Sequence, residues 1–213
     1  FSGLSVTMPA KENIIPMLDK VDATAQSIGA VNTVVEEDGK WVGYNSDCSG
    51  AIAALEAYTS LKDKNILILG AGGTAKAIGY GIKEKGGKLT ITYNRNKEKG
   101  ENLAKELGCE LIHCRDAGTQ SIDILINCSP VGMNPNINES PFLARDFKEG
   151  MVVFDSVYNP IETKLLREAK AAGCKVIPGS ELFINQAARQ FELFTGQTAP
   201  IDTIREVLMK KLN

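Results

Sequence analysis

From residue 65 onward the chain alternates short apolar runs with longer stretches whose apolar residues recur every three or four positions. The short runs predict strands at Asn65–Leu69, Lys88–Tyr93, Glu110–Cys114, Asp123–Asn127, Val152–Asp155 and Lys175–Ile177. The periodic stretches between several of them predict helices at Thr74–Lys85, Lys97–Leu107 and Thr163–Ala172. Alternation of this kind builds a parallel sheet, and right-handed crossovers put helices on both faces, so the expected fold is a doubly wound α/β domain. Residues 1–60 read differently. Leu4–Thr7 is expected to be a short strand, and Val31–Glu36 and Lys40–Tyr44 a hairpin about Asp38-Gly39, a pair suited to a tight two-residue turn. Ser46–Tyr58 reads as a helix with Cys48, Ala51, Ile52, Leu55 and Tyr58 on one face. Two more helices, Glu181–Phe194 and Ile201–Leu212, close the chain.

This pattern divides the chain into a nucleotide-binding domain of residues 48–179 and a smaller α/β domain of residues 1–47, completed by the C-terminal helices in 180–213. The smaller domain is expected to be N-terminally truncated. A unit of that size buries little core alone and needs those helices, material outside the chain, or both.

Within the larger domain, Leu67-Ile68-Leu69 runs straight into Gly70-Ala71-Gly72-Gly73-Thr74-Ala75, and a helix follows at once. Strand, glycine turn and helix in that order fit the dinucleotide fingerprint G-x-G-x-x-G/A, with Ala75 at its last position. The glycines let the backbone approach a pyrophosphate, and the helix points its free N–H groups at that anion. Other polar strand ends lie on the same edge: Asn94-Arg95, Ser129-Pro130 and Tyr158-Asn159-Pro160. An NAD site places Asp or Glu at the end of the second strand, to accept from the ribose 2′-hydroxyl. Here that position reads Asn94-Arg95, followed by Lys97 and Lys99, with no carboxylate before Glu98. A guanidinium suits a 2′-phosphate, so the cofactor expected is NADP.

Composition changes the picture mainly by exclusion. Among 213 residues, 43% are hydrophobic and 23% charged, and the net charge is −2, which is ordinary for a globular protein. The lysines are dispersed, which argues against nucleic acid as a partner, and no apolar run is long enough for a membrane span. Five cysteines (Cys48, Cys109, Cys114, Cys128, Cys174) have no paired spacing, which suggests reduced thiols and a cytoplasmic setting. Cys109, His113 and Cys114 lie close together without a C-x-x-C pair, and a buried strand accounts for them better than a metal. His113 is the sole histidine, so an acid–base enzyme built on this chain is expected to use another proton donor.

Three polar motifs interrupt the smaller domain: Ser5-Val6-Thr7-Met8-Pro9-Ala10-Lys11, Gly29-Ala30-Val31-Asn32-Thr33 and Gly43-Tyr44-Asn45-Ser46-Asp47. Together they offer a cation, a carboxylate and neutral hydrogen-bonding groups, a set suited to a small polyhydroxylated substrate and a proton transfer. Each residue also has a plainer explanation. Lys11 fits a solvated helix start, Asp47 a first turn favoured by the macrodipole, and Asn32 a turn. Gln186 borders the apolar stripe Phe183, Ala187, Phe191 and Phe194, and Tyr158 suits loop packing.

The three motifs resemble blocks of the shikimate dehydrogenase family. Further matches in the family's order are Gly70–Ala75, Asn94-Arg95, Asn127-Cys128-Ser129-Pro130-Val131-Gly132-Met133, Val157-Tyr158-Asn159-Pro160, and Gln186-Ala187-Ala188 with Phe191 and Thr195-Gly196. The resemblance covers essentially the whole chain. It implies reversible NADPH-dependent reduction of 3-dehydroshikimate to shikimate, a step toward aromatic amino acids. Lys11 and Asp47 match the catalytic pair, and Thr7, Asn32, Tyr158 and Gln186 the substrate-binding positions. The cofactor set is Gly70, Ala71, Gly72, Gly73, Thr74, Ala75, Asn94, Arg95, Lys99 and Ser129, with Met133 and Gly179 near the nicotinamide.

The expected partner is this small-molecule substrate. The expected assembly is a monomer or homodimer, and some relatives are fused to a dehydroquinate dehydratase domain. The family's Ser-x-Ser segment, which contacts the substrate carboxylate, does not precede Phe1, so carboxylate recognition and activity of this piece alone are expected to suffer. Smaller departures are Ser46 for Thr, Ala10 before Lys11, Asn96 after Arg95 and Phe194 for Trp. Two rival expectations are an NAD-preferring quinate/shikimate dehydrogenase and a non-catalytic ligand-binding homologue.

Overall fold

The computed structural model describes residues 2–7 and 9–212; Phe1, Asn213 and Met8 of the first polar motif lie outside them. The smaller sheet holds β1 (Gly3–Ser5), β2 (Lys20–Val21), β3 (Thr33–Glu37) and β4 (Lys40–Tyr44) in the order β1-β3-β4-β2. Strand β3 is antiparallel to β1 and β4, while β2 runs parallel to β4. The β3–β4 hairpin turns as expected, with Asp38 at φ 51° and Gly39 at φ 78°. Its first strand begins at Thr33 rather than Val31, because Val31 N is drawn to Lys11 O (2.8 Å). The first strand also shifts, to Gly3–Ser5. Thr7 has already left it, accepting from Ala10 N at 2.9 Å in the turn that carries Pro9.

Sequence periodicity missed β2 and helix α1 (Ala23–Ile28), which are too short to show a repeat. Their punctuation is nevertheless clear. Asp22 caps α1 by accepting from Thr24 N (2.9 Å), and Gly29 ends it with φ 69°.

Helix α2 (Ser46–Glu56) joins the two sheets. The expected boundary after residue 47 falls inside it. Cys48, Ala51, Ile52 and Leu55 are buried in the larger core, as their shared face predicts. Tyr58 departs from that expectation: the helix stops at Glu56, and Tyr58 is exposed.

The larger sheet comprises β5 (Asn65–Leu69), β6 (Lys88–Tyr93), β7 (Glu110–His113), β8 (Ile124–Asn127), β9 (Val152–Asp155) and β10 (Lys175–Ile177). All neighbours are parallel, in the order β10-β9-β8-β5-β6-β7. The crossover helices are α3 (Gly73–Glu84), α4 (Lys97–Leu107) and α5 (Lys164–Ala171), and α6 (Gly179–Thr195) and α7 (Ile201–Leu212) finish the chain. The doubly wound fold is therefore as expected. Side chains alternate across the sheet: Ile66 and Ile68 pack with α2, α3 and α4, while Leu67 and Leu69 pack with α5 and the loop around Phe142 and Phe147. Strand β7 is half-buried rather than buried, because it is an edge with one neighbour, and Cys114 already belongs to a following 3-10 turn. No helix among the described residues is long and apolar enough to cross a membrane.

Strand order reverses between β5 and β8, and a crevice opens there at the strands' carboxyl ends. Beside it, β9 ends in the fully buried Asp155. Its carboxylate accepts from Asn127 Nδ2 (2.9 Å), Val157 N (3.0 Å) and Thr163 Oγ1 (2.6 Å). Burial pushes the Asp155 pKa up to about 6, against the opposing pull of those three donors.

This packing sets two expectations for stability. Helices α2 and α6 meet so closely that a Cβ at Gly50 would stand 2.7 Å from Gln186 N. Gly50→Val is therefore expected to lower the unfolding free energy by about 3 kcal/mol, read from urea denaturation. For Asp155, the folded state holds its proton more tightly than the unfolded chain. The stability it contributes is present below the unfolded value of 3.8 and is lost as pH rises through about 6. Asp155→Asn should remove that loss, so urea melts should show the variant gaining about 3 kcal/mol on the parent between acid and neutral pH. A difference that does not change with pH would contradict it.

Candidate active site

Asp47 occupies the first turn of α2. The cap residue Asn45 fixes that turn, accepting from Cys48 N (3.1 Å) and donating to Ala30 O (2.9 Å). A carboxylate is favoured at this positive helix end. Lys11 lies in the turn after Thr7, and its carbonyl accepts from Val31 N (2.8 Å), which pins that turn beside β3. The two side chains meet: Lys11 Nζ donates to Asp47 Oδ2 at 2.7 Å, with 27% and 20% of the side chains exposed. An ammonium has three donors, and the others make no hydrogen bond among the described residues.

Asn32 is buried next to this pair, and its Oδ1 is saturated. It accepts from Ser46 N (2.7 Å), Ser46 Oγ (3.1 Å) and Thr33 Oγ1 (2.8 Å). Its Nδ2 makes no bond among the described residues and remains a donor for a ligand. The turn role suggested by sequence is filled by Oδ1 alone. Thr7 is exposed on the segment that leads to Lys11. Gln186 lies on α6 with its backbone against Gly50, one helical turn along α2 from Asp47. Sequence reasoning missed Gln190. Its Nε2 donates to Asn32 O (3.2 Å) and Thr33 Oγ1 (3.0 Å), and its Oε1 accepts from Ser5 Oγ (3.1 Å). The one signal was its spacing of four from Gln186, which puts both on the same helical face.

The cofactor candidates surround the crevice. Gly70 has φ 117°, its N donates to Thr92 Oγ1 (3.1 Å), and a Cβ there would stand 3.3 Å from the Cys128 carbonyl. The turn thus packs between the ends of β6 and β8, with Ala75 fully buried behind it. Gly72 and Gly73 face open space, since a Cβ at either would meet nothing within 4 Å. No side chain caps α3, so its first N–H groups point into that opening beside Ala71 and Thr74. A groove of about 400 Å³ continues from it past Lys76, Asn96 and Lys99, with Glu12 of the smaller sheet's lobe on its rim. These features fit a dinucleotide pyrophosphate. Asn94 and Arg95 follow β6, both exposed, and Arg95 has no ion-pair partner among the described residues. Asn96 caps α4 through Lys99 N (2.8 Å).

On the other side of the crevice, Ser129 turns inward. Its N (2.9 Å) and Oγ (2.7 Å) both donate to Asn127 Oδ1. Its hydroxyl is committed to shaping the loop that presents the exposed Met133. Gly179 starts α6 at a point where a Cβ would stand 2.4 Å from Val157 O, so only glycine fits. Tyr158 is 45% exposed, with its ring 5.6 Å from that of Phe183.

Other titratable groups are occupied elsewhere. His113 Nδ1 accepts from Arg115 N (3.1 Å), and its ring meets Tyr93 edge-on. Tyr44 donates to Glu37 (2.6 Å), and burial with that partner pushes its pKa up to about 12. Burial raises the thiol pKa values of Cys48, Cys109, Cys128 and Cys174, which favours the protonated form. A larger cavity, about 670 Å³, opens at the amino ends of β5–β7 near Lys83, Lys88 and Cys109, the wrong end of a parallel sheet for a cofactor.

Comparison with known proteins agrees with this layout. Residues 1–34 match the "Shikimate dehydrogenase substrate binding domain", 52–157 the "Shikimate / quinate 5-dehydrogenase" family and 179–209 the "Shikimate 5'-dehydrogenase C-terminal domain". The chain is 42% identical to the shikimate dehydrogenase (NADP(+)) of Methanosphaera stadtmanae, over 99% of this chain and 78% of that one. It is 39% identical to the chloroplastic bifunctional 3-dehydroquinate dehydratase/shikimate dehydrogenase of Arabidopsis thaliana, over 99% of this chain and 38% of that one. Among solved structures, a shikimate dehydrogenase in complex with NADP+ superposes with a TM-score of 0.94 at 40% identity, covering 100% of this chain and 77% of that one. The Thermus thermophilus enzyme in complex with NADP(H) and shikimate gives 0.90 at 36% identity, covering 99% and 79%. With fold, crevice and motif order in agreement along its whole length, the chain belongs to the shikimate dehydrogenase family.

Proposed function

We propose that this chain carries the active site of an NADP-dependent shikimate dehydrogenase, which reduces the carbonyl of 3-dehydroshikimate to the hydroxyl of shikimate and runs in reverse. The observation that carries the reading is the Lys11–Asp47 pair at 2.7 Å, on the helix that joins the two sheets. Residues 1–47 with 180–213 form the substrate domain, and 48–179 the cofactor domain. NADPH, when bound, supplies the hydride. The N–H groups of Gly72, Gly73, Thr74 and Ala75 hold its pyrophosphate, and Asn94, Arg95 and Lys99 its 2′-phosphate. Met133 and Gly179 border the nicotinamide, and Ser129 holds their loop in shape.

As the carbonyl oxygen gains charge, the Lys11 ammonium stabilises it and donates a proton from Nζ. Asp47 keeps that ammonium in place. Asn32 Nδ2, Thr7 and Gln186 bind the substrate's oxygens, and Tyr158 closes the site from the larger domain. In shikimate oxidation Lys11 takes the proton back. The five free cysteines accord with a cytoplasmic enzyme.

NADPH formation with shikimate tests the pair. Lys11→Ala and Asp47→Ala should each lower kcat by about 10²–10⁴-fold while NADP affinity holds. Full turnover in both variants would reject the assignment. Cofactor choice tests the strand end. Arg95→Asp removes a charge-assisted contact and supplies an acceptor for a ribose hydroxyl, so the NADP-to-NAD ratio of kcat/KM should fall by about 10–100-fold. An unmoved ratio would sink the role of Arg95.

A further inference from the structure

Asp155 is a buried carboxylate for which the chemistry above has no use. A parallel sheet needs no charge at a strand end, and an amide of the same shape would cost less to bury. Yet both oxygens are engaged: two partners, Asn127 and Val157, border the loops assigned to the nicotinamide, and the third, Thr163, caps α5. Oδ1 accepts from Asn127 Nδ2 (2.9 Å) and Val157 N (3.0 Å), while Oδ2 accepts from Thr163 Oγ1 (2.6 Å). Asn127 passes the constraint to the Ser129–Met133 loop. Its Oδ1 takes both Ser129 donors, and its Nδ2 also donates to Val131 O (3.3 Å). Val157 directly precedes Tyr158. A Cβ at Gly179 would stand 2.9 Å from Asp155 O, so the start of α6 packs on this residue's backbone and not on its carboxylate.

We propose that Asp155 is a positioning residue for hydride transfer: it locks the Ser129–Met133 loop and the Tyr158 loop into one arrangement that seats the nicotinamide against the substrate. The inference rests on the function proposed above. Fully satisfied buried networks of this kind fix one geometry, and misplacing reacting groups by about 1 Å costs about 10²-fold in rate. The adenosine half of the cofactor site is assigned to Arg95, after β6 and two strands from β8, and none of the network's hydrogen bonds reaches it.

That separation provides the test, in the full-length protein. Asp155→Ala and Asp155→Asn are compared with the parent for binding of adenosine 2′,5′-bisphosphate, binding of NADPH, and kcat and KM for shikimate, with circular dichroism and melting to establish folding. Bisphosphate affinity should stay within about twofold, as expected for a distant site. Asp155→Ala should weaken NADPH binding, raise the shikimate KM and lower kcat by about 10²-fold, and Asp155→Asn, which keeps an acceptor, should recover part of that loss. A folded Asp155→Ala with parental kcat and KM would overturn the proposal, as would bisphosphate and NADPH binding lost in equal measure. If Asp155→Ala does not fold, Asp155→Asn and Thr163→Val decide, and parental turnover in both overturns it. A parent inactive with shikimate would instead refute the proposed function. The Asp155 inference is then read from the ratio of NADPH to bisphosphate affinity, and an unchanged ratio refutes it.

Discussion

The first turn of α2 is where two hydrogen-bonding demands meet. The helix leaves orphan N–H groups at its start, and Asn32, just before β3 and beside the end of β4, has an amide oxygen to satisfy. Ser46 answers with both its N–H and its hydroxyl, at 2.7 and 3.1 Å. Asn45 caps the turn and ties it to Ala30. The rest of the helix is buried in the larger domain through Ala51, Ile52 and Leu55. One rigid element thus carries Asp47 at its tip and is anchored in both sheets. Lys11 is brought to that tip by the bond between its own carbonyl and Val31 N. Without this turn, neither member of the ion pair would have a fixed place relative to the crevice.

The two carboxylates of interest obey opposite electrostatics. Asp47 is partly solvated and paired, so its bond to Lys11 adds at most about 1 kcal/mol to stability. What it contributes is the location of an ammonium. Asp155 is fully buried and, among the described residues, has only neutral donors, and burial drives its pKa toward neutrality. Burial disfavours its charged form, and its hydrogen bonds link the ends of β8 and β9. Helix α6 closes the arrangement from behind. Gly179 abuts Val157, Gln186 lies against Gly50, and Gln190 bridges Ser5, Asn32 and Thr33. A single helix therefore touches α2, the smaller sheet and the segment after β9.

Much of this was legible in the sequence for stated reasons. Strand β5, the glycine turn and α3 were found because apolar runs, glycines and helical periodicity are local signals. The hairpin at Asp38-Gly39 was found because two left-handed residues in a row admit few alternatives. Helix α1 and β2 escaped because neither is long enough to repeat. Tyr58 was misplaced because helix periodicity carries no mark of where tertiary packing stops. The bond from the Ser129 hydroxyl to Asn127 is one that sequence spacing alone does not single out.

By itself the sequence determined the doubly wound sheet, the glycine cradle and the absence of an acid after β6, because those depend on residues adjacent in the chain. Only the tertiary structure decided that Lys11 reaches Asp47, that Gln190 bonds to Asn32 and Thr33, and that Asp155 bonds to Asn127 and Thr163. Those are contacts between residues from 8 to 158 positions apart. They exist only once burial has fixed the chain around them, since no local rule pairs a donor with an acceptor across such distances.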